Sequence, residues 1–316
     1  MKILSMSGFV PEQICDTIRF TGYSGERSIS HFCGYANDYI SQVLNSDDID
    51  GAVFPKSCDS SRIIKSYLED SAKFVYQINV PARNDDLAID FYANELRLYR
   101  AALEQKNEIA LENLRERTEK VNERNMLIGK HYANLENISY TDYLSAIHHD
   151  MQIPLLSSED KRLTGEFKQK NEYGHRVFLV GSFLCNCHIV DVIESNGMGI
   201  VGDNLPESGR IQGRVVDENA GDLFREISED ILDRRMSPTQ NNFGQILDKD
   251  INEIKRVKAE GVIFVTQKYC ESYDYLFSVY KRRLDKEKIP IIQISLLNSQ
   301  DEKKVEMSLE AFSDSL

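Results

Sequence analysis

Residues 50–62 read DGAVFPKSCDSSR. Asp50 and Gly51 precede an apolar run, Ala52-Val53-Phe54, that is too short for a helix. A short apolar run with such boundaries is predicted to be a buried parallel strand, here stopped by Pro55. Cys58 then falls in the loop that leaves the strand. Asp59, Ser60 and Ser61 are cap-forming residues for a helix expected to begin near Arg62. In open α/β sheets ligands bind outside the carboxyl ends of the strands. Cys58 is therefore expected where a cofactor would lie.

The same design returns at residues 260–271, EGVIFVTQKYCE, where an acid, a glycine and an apolar run lead to Cys270. A second echo joins KILSMSG at 2–8 to RVFLVGS at 176–182, each a strand running into a small-residue loop. The reading is α/β: two doubly wound Rossmann-like (flavodoxin-like) domains with a helical segment between them. Residues 1–172 would form the N-terminal domain with its helical extension, carrying Cys33 and Cys58. Residues 173–316 would form the C-terminal domain, carrying Cys270.

A chain of 316 residues can bury two ordinary cores. The 38 basic and 51 acidic side chains leave a net charge of −13, with no basic face evident, which argues against nucleic acid as the main partner. The apolar runs fall far short of a bilayer span, and residues 1–6 lack the features of a signal peptide. A cytoplasmic protein with no membrane association is expected. In that setting the six cysteines are reduced thiols or metal ligands rather than disulfides.

Taken in order, 2–6 is a strand, and Pro11-Glu12 is expected to start a helix through Ile18, with Cys15 as a small buried residue. Residues 21–26, TGYSGE, form a turn cluster. Tyr35, Tyr39 and Val43 have helical spacing, which puts Cys33 at or just before a helix N-terminus. Free N–H groups and the positive dipole end favour a thiolate there. His31 stands nearby and is read as a surface histidine. Residues 74–80 form a strand. The spacing of Leu87, Phe91 and Leu98, and of Tyr92, Leu96, Tyr99 and Leu103, predicts a long amphipathic helix. A charged helix follows to about residue 133, then a shorter one at 139–150. His148 and His149 point to different sides of that helix and make poor co-ligands.

In the second half, strands are expected at 177–180, 199–203, 260–264 and 290–296. Helices are expected at 223–232, 243–256, 273–284 and 305–316. Cys185 and Cys187 form a C-x-C pair beside His188, but no second pair exists to close a zinc site, and packing at a helix start is the favoured reading. There is no G-x-G-x-x-G fingerprint, so a nicotinamide dinucleotide site is not expected.

Cys33, Cys58 and Cys270 thus occupy similar settings at element ends. If the two domains face each other across a cleft, the three thiols converge. Three thiolates without a C-x-x-C pair suit an iron–sulfur cluster better than structural zinc, which takes four closed ligands. On spacing alone, buried packing cysteines are the favoured description.

The pieces also resemble, in order, the iron–sulfur subunits of the 2-hydroxyacyl-CoA dehydratase and benzoyl-CoA reductase family. DGAVFPKSCDSSR is similar to that family's D-G-x-x-x-P-x-x-C-D-x-x-R element. EGVIFVTQKYCESYDY is similar to its strand-to-Cys element. The segment from Ser7 to Cys15 with PEQI, the 91–98 helix, RVFLVGS and GIVGDNLPESGR match more loosely. The chain departs from the pattern at Pro206, where relatives often carry Cys, and in 236–238, which also lacks a Cys.

The resemblance implies a [4Fe–4S] cluster on Cys33, Cys58 and Cys270. It implies an acyl-CoA substrate, a homologous second subunit or self-dimer, and a separate ATP-dependent iron–sulfur activator that delivers one electron at low potential. The reaction implied is a lyase reaction in which a ketyl radical expels a 2-hydroxyl group. Arg62, Lys65 and Arg210 are expected to meet the phosphates of CoA. The alternatives are an ATP-dependent double-cubane-cluster or benzoyl-CoA reductase-like protein, which would recruit thiols such as Cys185 and Cys187, or a non-catalytic partner subunit of the same fold.

Overall fold

The structure is a computed structural model. It describes residues 2–6, 8–15, 17–20, 33–107, 113–157, 161–170, 172–184, 187–234, 237–241, 243–296 and 299–316. His31, Ser7, the turn cluster at 21–26, Cys185 and Met236 lie outside the described residues.

Four parallel strands form the first sheet: β1 (Ile3–Ser5), β2 (Thr17–Arg19), β3 (Gly51–Lys56) and β4 (Phe74–Asn79), in the order β2-β1-β3-β4. A second parallel sheet contains β5 (His175–Gly181), β6 (Met198–Asn204), β7 (Gly261–Gln267) and β8 (Ile291–Leu296), in the order β6-β5-β7-β8. The two orders are the same, so the expected doubly wound α/β class holds for both sheets. In each, the strand order reverses between the first and third strands, which opens a crevice at their carboxyl ends. Apolar runs supply strands covered on both faces, as parallel sheets require; all seven residues of β7 are buried.

Ten helices are described: α1 (Gly34–Asn45), α2 (Asp59–Leu68), α3 (Asp86–Asn107), α4 (Leu114–Tyr132), α5 (Tyr140–Gln152), α6 (His188–Ser195), α7 (Leu223–Arg234), α8 (Phe243–Arg256), α9 (Glu271–Glu287) and α10 (Ser299–Ser313). Their packing interlaces the two sheets. Tyr140, Leu144 and Ile147 of α5 join Leu179, Ile193 and Ile200 in the core on one face of the second sheet. In return, Ile227 and Ile231 of α7 pack with Tyr92 and Leu96 of α3 against the first sheet. Among the described residues, no helix is long and apolar enough to cross a membrane.

Three local expectations are corrected. Residues 11–18 do not form a helix: turns at 12–14 lead into β2, which pairs Ile3 with Thr17 and Ser5 with Arg19. The β-branched Thr17 and Ile18 fit the pleat, and the edge of β1 offers ladder bonds that a short helix after Pro11 cannot match. Pro55 does not stop β3, which continues to Lys56. β1 pairs with β3 only as far as Val53, so Pro55 has β4 alone beside it, and its missing N–H disrupts no central ladder. Finally, α2 begins at Asp59 rather than near Arg62, with Cys58 itself as N-cap.

Tyr39 ties α1 to the first sheet. It is fully buried, and its hydroxyl lies 2.9 Å from the Leu4 carbonyl and 3.0 Å from the Val53 carbonyl, where β1 and β3 pair. Tyr39→Phe removes the donor and leaves those oxygens to their ladder partners. The expected loss is about 1–2 kcal/mol, seen as a lower urea midpoint at unchanged slope.

Candidate functional site

The carboxyl ends of β3 and β7 face a shared cavity of about 110 Å³. Cys33, Cys58 and Cys270 all line it, together with apolar groups that include Phe9, Phe183 and Pro206. Cys58 and Cys270 occupy equivalent places, each in the loop after the third strand of its sheet and each the N-cap of the next helix, α2 and α9. Cys33 is the N-cap of α1. Each of these thiols therefore stands at a helix N-terminus, where unpaired amides and the dipole favour negative charge.

Local chemistry fixes each thiol. The Cys58 sulfur accepts from the Ser61 amide at 3.5 Å, while Ser61 Oγ accepts from the amides of Cys58 (2.9 Å) and Ser57 (3.0 Å). This is a capping box with sulfur in place of the usual oxygen. Cys270 follows Tyr269, whose φ of +65° puts it in the left-handed region, and its amide bonds Gln267 O at 3.0 Å. Across the cavity, the Gly34 amide donates to Lys268 O at 3.2 Å. That bond links the start of α1 to the Cys270 loop and brings Cys33 to Cys270. At the end of β5, Gly181 has φ +135°, and a Cβ there would lie 2.0 Å from Val265 O. Only glycine allows the chain to cross β7 at that point and put Phe183 on the cavity wall.

The Cys33 and Cys270 thiols are hydrogen-bonded to each other. A hydrogen bond from Cys270 pulls Cys33 below the usual thiol range, helped by the amides of Ala36 and Tyr35 and opposed by burial. The same hydrogen bond pushes Cys270 up, with burial and the charges on Cys33 and Cys58 adding to it. Cys33 is thus the more acidic thiol of the pair and Cys270 the less acidic one. Among the described residues, no three His, Cys, Asp or Glu side chains stand close enough to hold a single metal ion.

The other candidates are dispersed. Cys15 is buried in the core of the first sheet. Arg62 is largely exposed and 3.5 Å from Asp59, and Lys65 is exposed on the same helix. Arg210 is not at the surface: it is 7% exposed, with Nε on Asn204 Oδ1 (2.9 Å) and a terminal nitrogen on Gly181 O (2.9 Å). The guanidinium braces the loop after β6 against the end of β5. His148 and His149 diverge as their adjacency requires. His149 pairs with Asp150 at 3.1 Å, whereas His148 stacks on Phe183 with ring centroids 5.5 Å apart.

One group escaped the sequence reading. Glu207, next to Pro206, is fully buried. Its Oε1 accepts from the Leu184 amide at 2.7 Å and lies 4.0 Å from His148 Nε2, while Oε2 has no partner. Burial pushes its pKa up to about 8 and pushes that of His148 down to about 4. Cys187, the N-cap of α6, lies 3.6 Å from the other ring nitrogen of His148, and burial raises its thiol. Glu207, His148 and Cys187 therefore form a line behind the Phe183 wall. The only sequence signal was an acid in a loop, which ordinarily means a solvated one.

The sequence profile of the 2-hydroxyglutaryl-CoA dehydratase D-component matches residues 2–316. The chain belongs to the D-component family. It is also similar to the (R)-phenyllactyl-CoA dehydratase beta subunit of Clostridium sporogenes, with 22% identity over 306 residues, covering 90% of this chain and 80% of that subunit. The D-component match extends over both sheets and so takes in all three thiol-bearing loops.

Proposed function

We propose that this chain is the iron–sulfur subunit of a 2-hydroxyacyl-CoA dehydratase, with Cys33, Cys58 and Cys270 as thiolate ligands of one [4Fe–4S] cluster. The observation that supports this reading is the meeting of these thiols, each at a helix N-terminus, on one largely apolar cavity. The donor set fits the group: it is soft and all-thiolate, and the helix ends offset its charge. A single tetrahedral ion holds sulfur at about 2.3 Å and so demands a tighter set of ligands than a cube that seats each thiolate on a different iron. When bound, the cluster would supply one-electron transfer at low potential.

The chain's own groups prepare the site. Ser61 holds the Cys58 loop, the Gly34–Lys268 bond holds Cys33 against Cys270, and Cys270 gives up its proton when it becomes a ligand. Phe9, Phe183 and Pro206 keep bulk water from the sulfurs. Cys187 faces His148 rather than this cavity, so among the described residues no further thiol joins the three. The sequence has no G-x-x-x-x-G-K-[ST] loop, and we assign ATP coupling to a separate activator, with a homologous second subunit completing the enzyme.

Protein purified without oxygen is expected to carry about four irons and four sulfides per chain. Turnover of a 2-hydroxyacyl-CoA is expected only with activator, ATP and the exclusion of air. Iron-free protein, or brisk aerobic turnover by the isolated chain without ATP, would overturn the reading.

A further inference from the structure

The cavity that gathers the thiols has one polar group in its wall that the protein itself does not use. Ser182 lines it and is 6% exposed, and its Oγ is buried with no hydrogen-bond partner. Other polar side chains of the wall are engaged. Ser61 Oγ donates to the Cys58 carbonyl at 3.0 Å, and Ser237 Oγ lies 2.8 Å from Thr239 Oγ1. The Tyr35 hydroxyl donates to Phe20 O at 3.3 Å, and the Tyr273 hydroxyl meets Arg210 at 3.4 Å. Among the described residues of the wall, Ser182 alone keeps a buried polar side-chain atom with nothing to bond.

The position is clamped on both sides. The Ser182 amide donates to Val265 O at 2.9 Å, and the next carbonyl, that of Phe183, accepts from the Gln267 side chain at 3.0 Å. Both anchors belong to β7, the strand that leads into the Cys270 loop. A serine hydroxyl rotates freely to suit a neighbouring acceptor. One that stays unpaired on a backbone held this firmly therefore has no protein acceptor in reach. Burying it unpaired costs free energy, and such groups are rare in folded proteins unless something else meets them.

We infer that Ser182 donates a hydrogen bond to the iron–sulfur cluster and raises its reduction potential. The inference rests on the cluster reading above and adds a donor to its three thiolates. Sulfide and thiolate sulfurs carry negative charge, and a hydroxyl donor meets such an acceptor most strongly where the surroundings are largely apolar, as here. Reduction adds one negative charge to the acceptor. The bond is therefore stronger in the reduced state and favours it, as hydrogen bonds to cluster sulfurs do in general. The N-termini of α1, α2 and α9 act in the same sense, and the apolar walls of Phe9, Phe183 and Pro206 act in the opposite one. Ser182 thus sets how far the cavity penalises the added electron.

The test is a redox titration of the anaerobically purified full chain, read by electron paramagnetic resonance of the reduced cluster, in wild type, Ser182→Ala and Ser182→Thr. Alanine removes the donor and threonine keeps it. At the wild-type midpoint the ratio of reduced to oxidised cluster is expected to be about tenfold lower in Ser182→Ala, a fall of about 59 mV for one electron. Its iron and sulfide should be unchanged, and Ser182→Thr should titrate with wild type. Equal midpoints in wild type and Ser182→Ala overturn the inference, as does the same fall in Ser182→Thr. If Ser182→Ala does not hold iron, wild type decides. Brief exchange into D2O labels hydroxyls ahead of buried amides, and electron–nuclear double resonance of the reduced cluster is expected to show a coupled deuteron; its absence overturns the inference. Iron and sulfide counts keep the two readings apart. A wild-type chain without iron defeats the cluster and this donor role with it, whereas an iron-loaded chain with an unmoved potential defeats the donor role alone.

Discussion

Cys58→Ser is expected to leave the protein with less than about a quarter of its iron while the fold persists. Serine is the informative replacement because Cys58 has two roles. Its sulfur caps α2 by accepting from the Ser61 amide, and alanine there would lose the cap, at about 1 kcal/mol. Serine is a preferred N-cap and keeps that bond, so any loss of iron reports on the thiolate alone. With one ligand of three gone, a cube keeps only two protein bonds, and the brown absorbance and sulfide content should fall with the iron. Cys33→Ser and Cys270→Ser should behave alike. Cys15→Ala should keep full iron, because Cys15 packs in the core of the first sheet rather than on the cavity. Full iron in Cys58→Ser would sink the ligand assignment, whatever the activity.

How far this site could be read from sequence depends on the range of the forces that build it. Strand β3 and the place of Cys58 after it were legible because an apolar run behind Gly51 acts locally, although Pro55 misplaced the strand's end and α2 starts three residues before Arg62. The setting of Cys270 followed from the same local grammar. β2 was not legible: its three residues have too little pattern, and only the edge of β1 makes them a strand. The nearness of Cys33 to Cys270 rests on one bond between residues more than two hundred positions apart, from Gly34 to Lys268. The burial of Arg210 was not legible either. What buries it is a set of acceptors, Asn204 Oδ1 and Gly181 O, that exists only once β5 and β6 lie side by side. The unpaired hydroxyl of Ser182 is likewise a property of tertiary packing.

Glu207→Gln should make the protein more stable, and by an amount that grows with pH. Burial holds Glu207 protonated in the native state up to about pH 8, while in the unfolded chain the same carboxyl ionises near its ordinary 4.5. Between those values the native state binds more protons than the unfolded state, so stability falls as pH rises, at up to about 1.4 kcal/mol per pH unit. Glutamine keeps the acceptor for the Leu184 amide and has no proton to lose. Wild type and variant should therefore match near pH 4.5 and differ by roughly 2–4 kcal/mol at pH 8. His148 works in the opposite sense, since burial lowers it to about 4 from 6.5 and its contribution rises with pH across that lower window. The other groups around Glu207 are Asp203, which disfavours its ionisation, and Arg210, which favours it; both remain in the variant and cancel in the comparison. Urea unfolding of both proteins at pH 7 and pH 8.5 is the measurement, because His148 is neutral in the native state there and its titration in the unfolded chain is common to both proteins. A stability difference that stays flat between those two pH values would mean that Glu207 is ionised in the native protein, and that the wall behind Phe183 already holds a compensating charge.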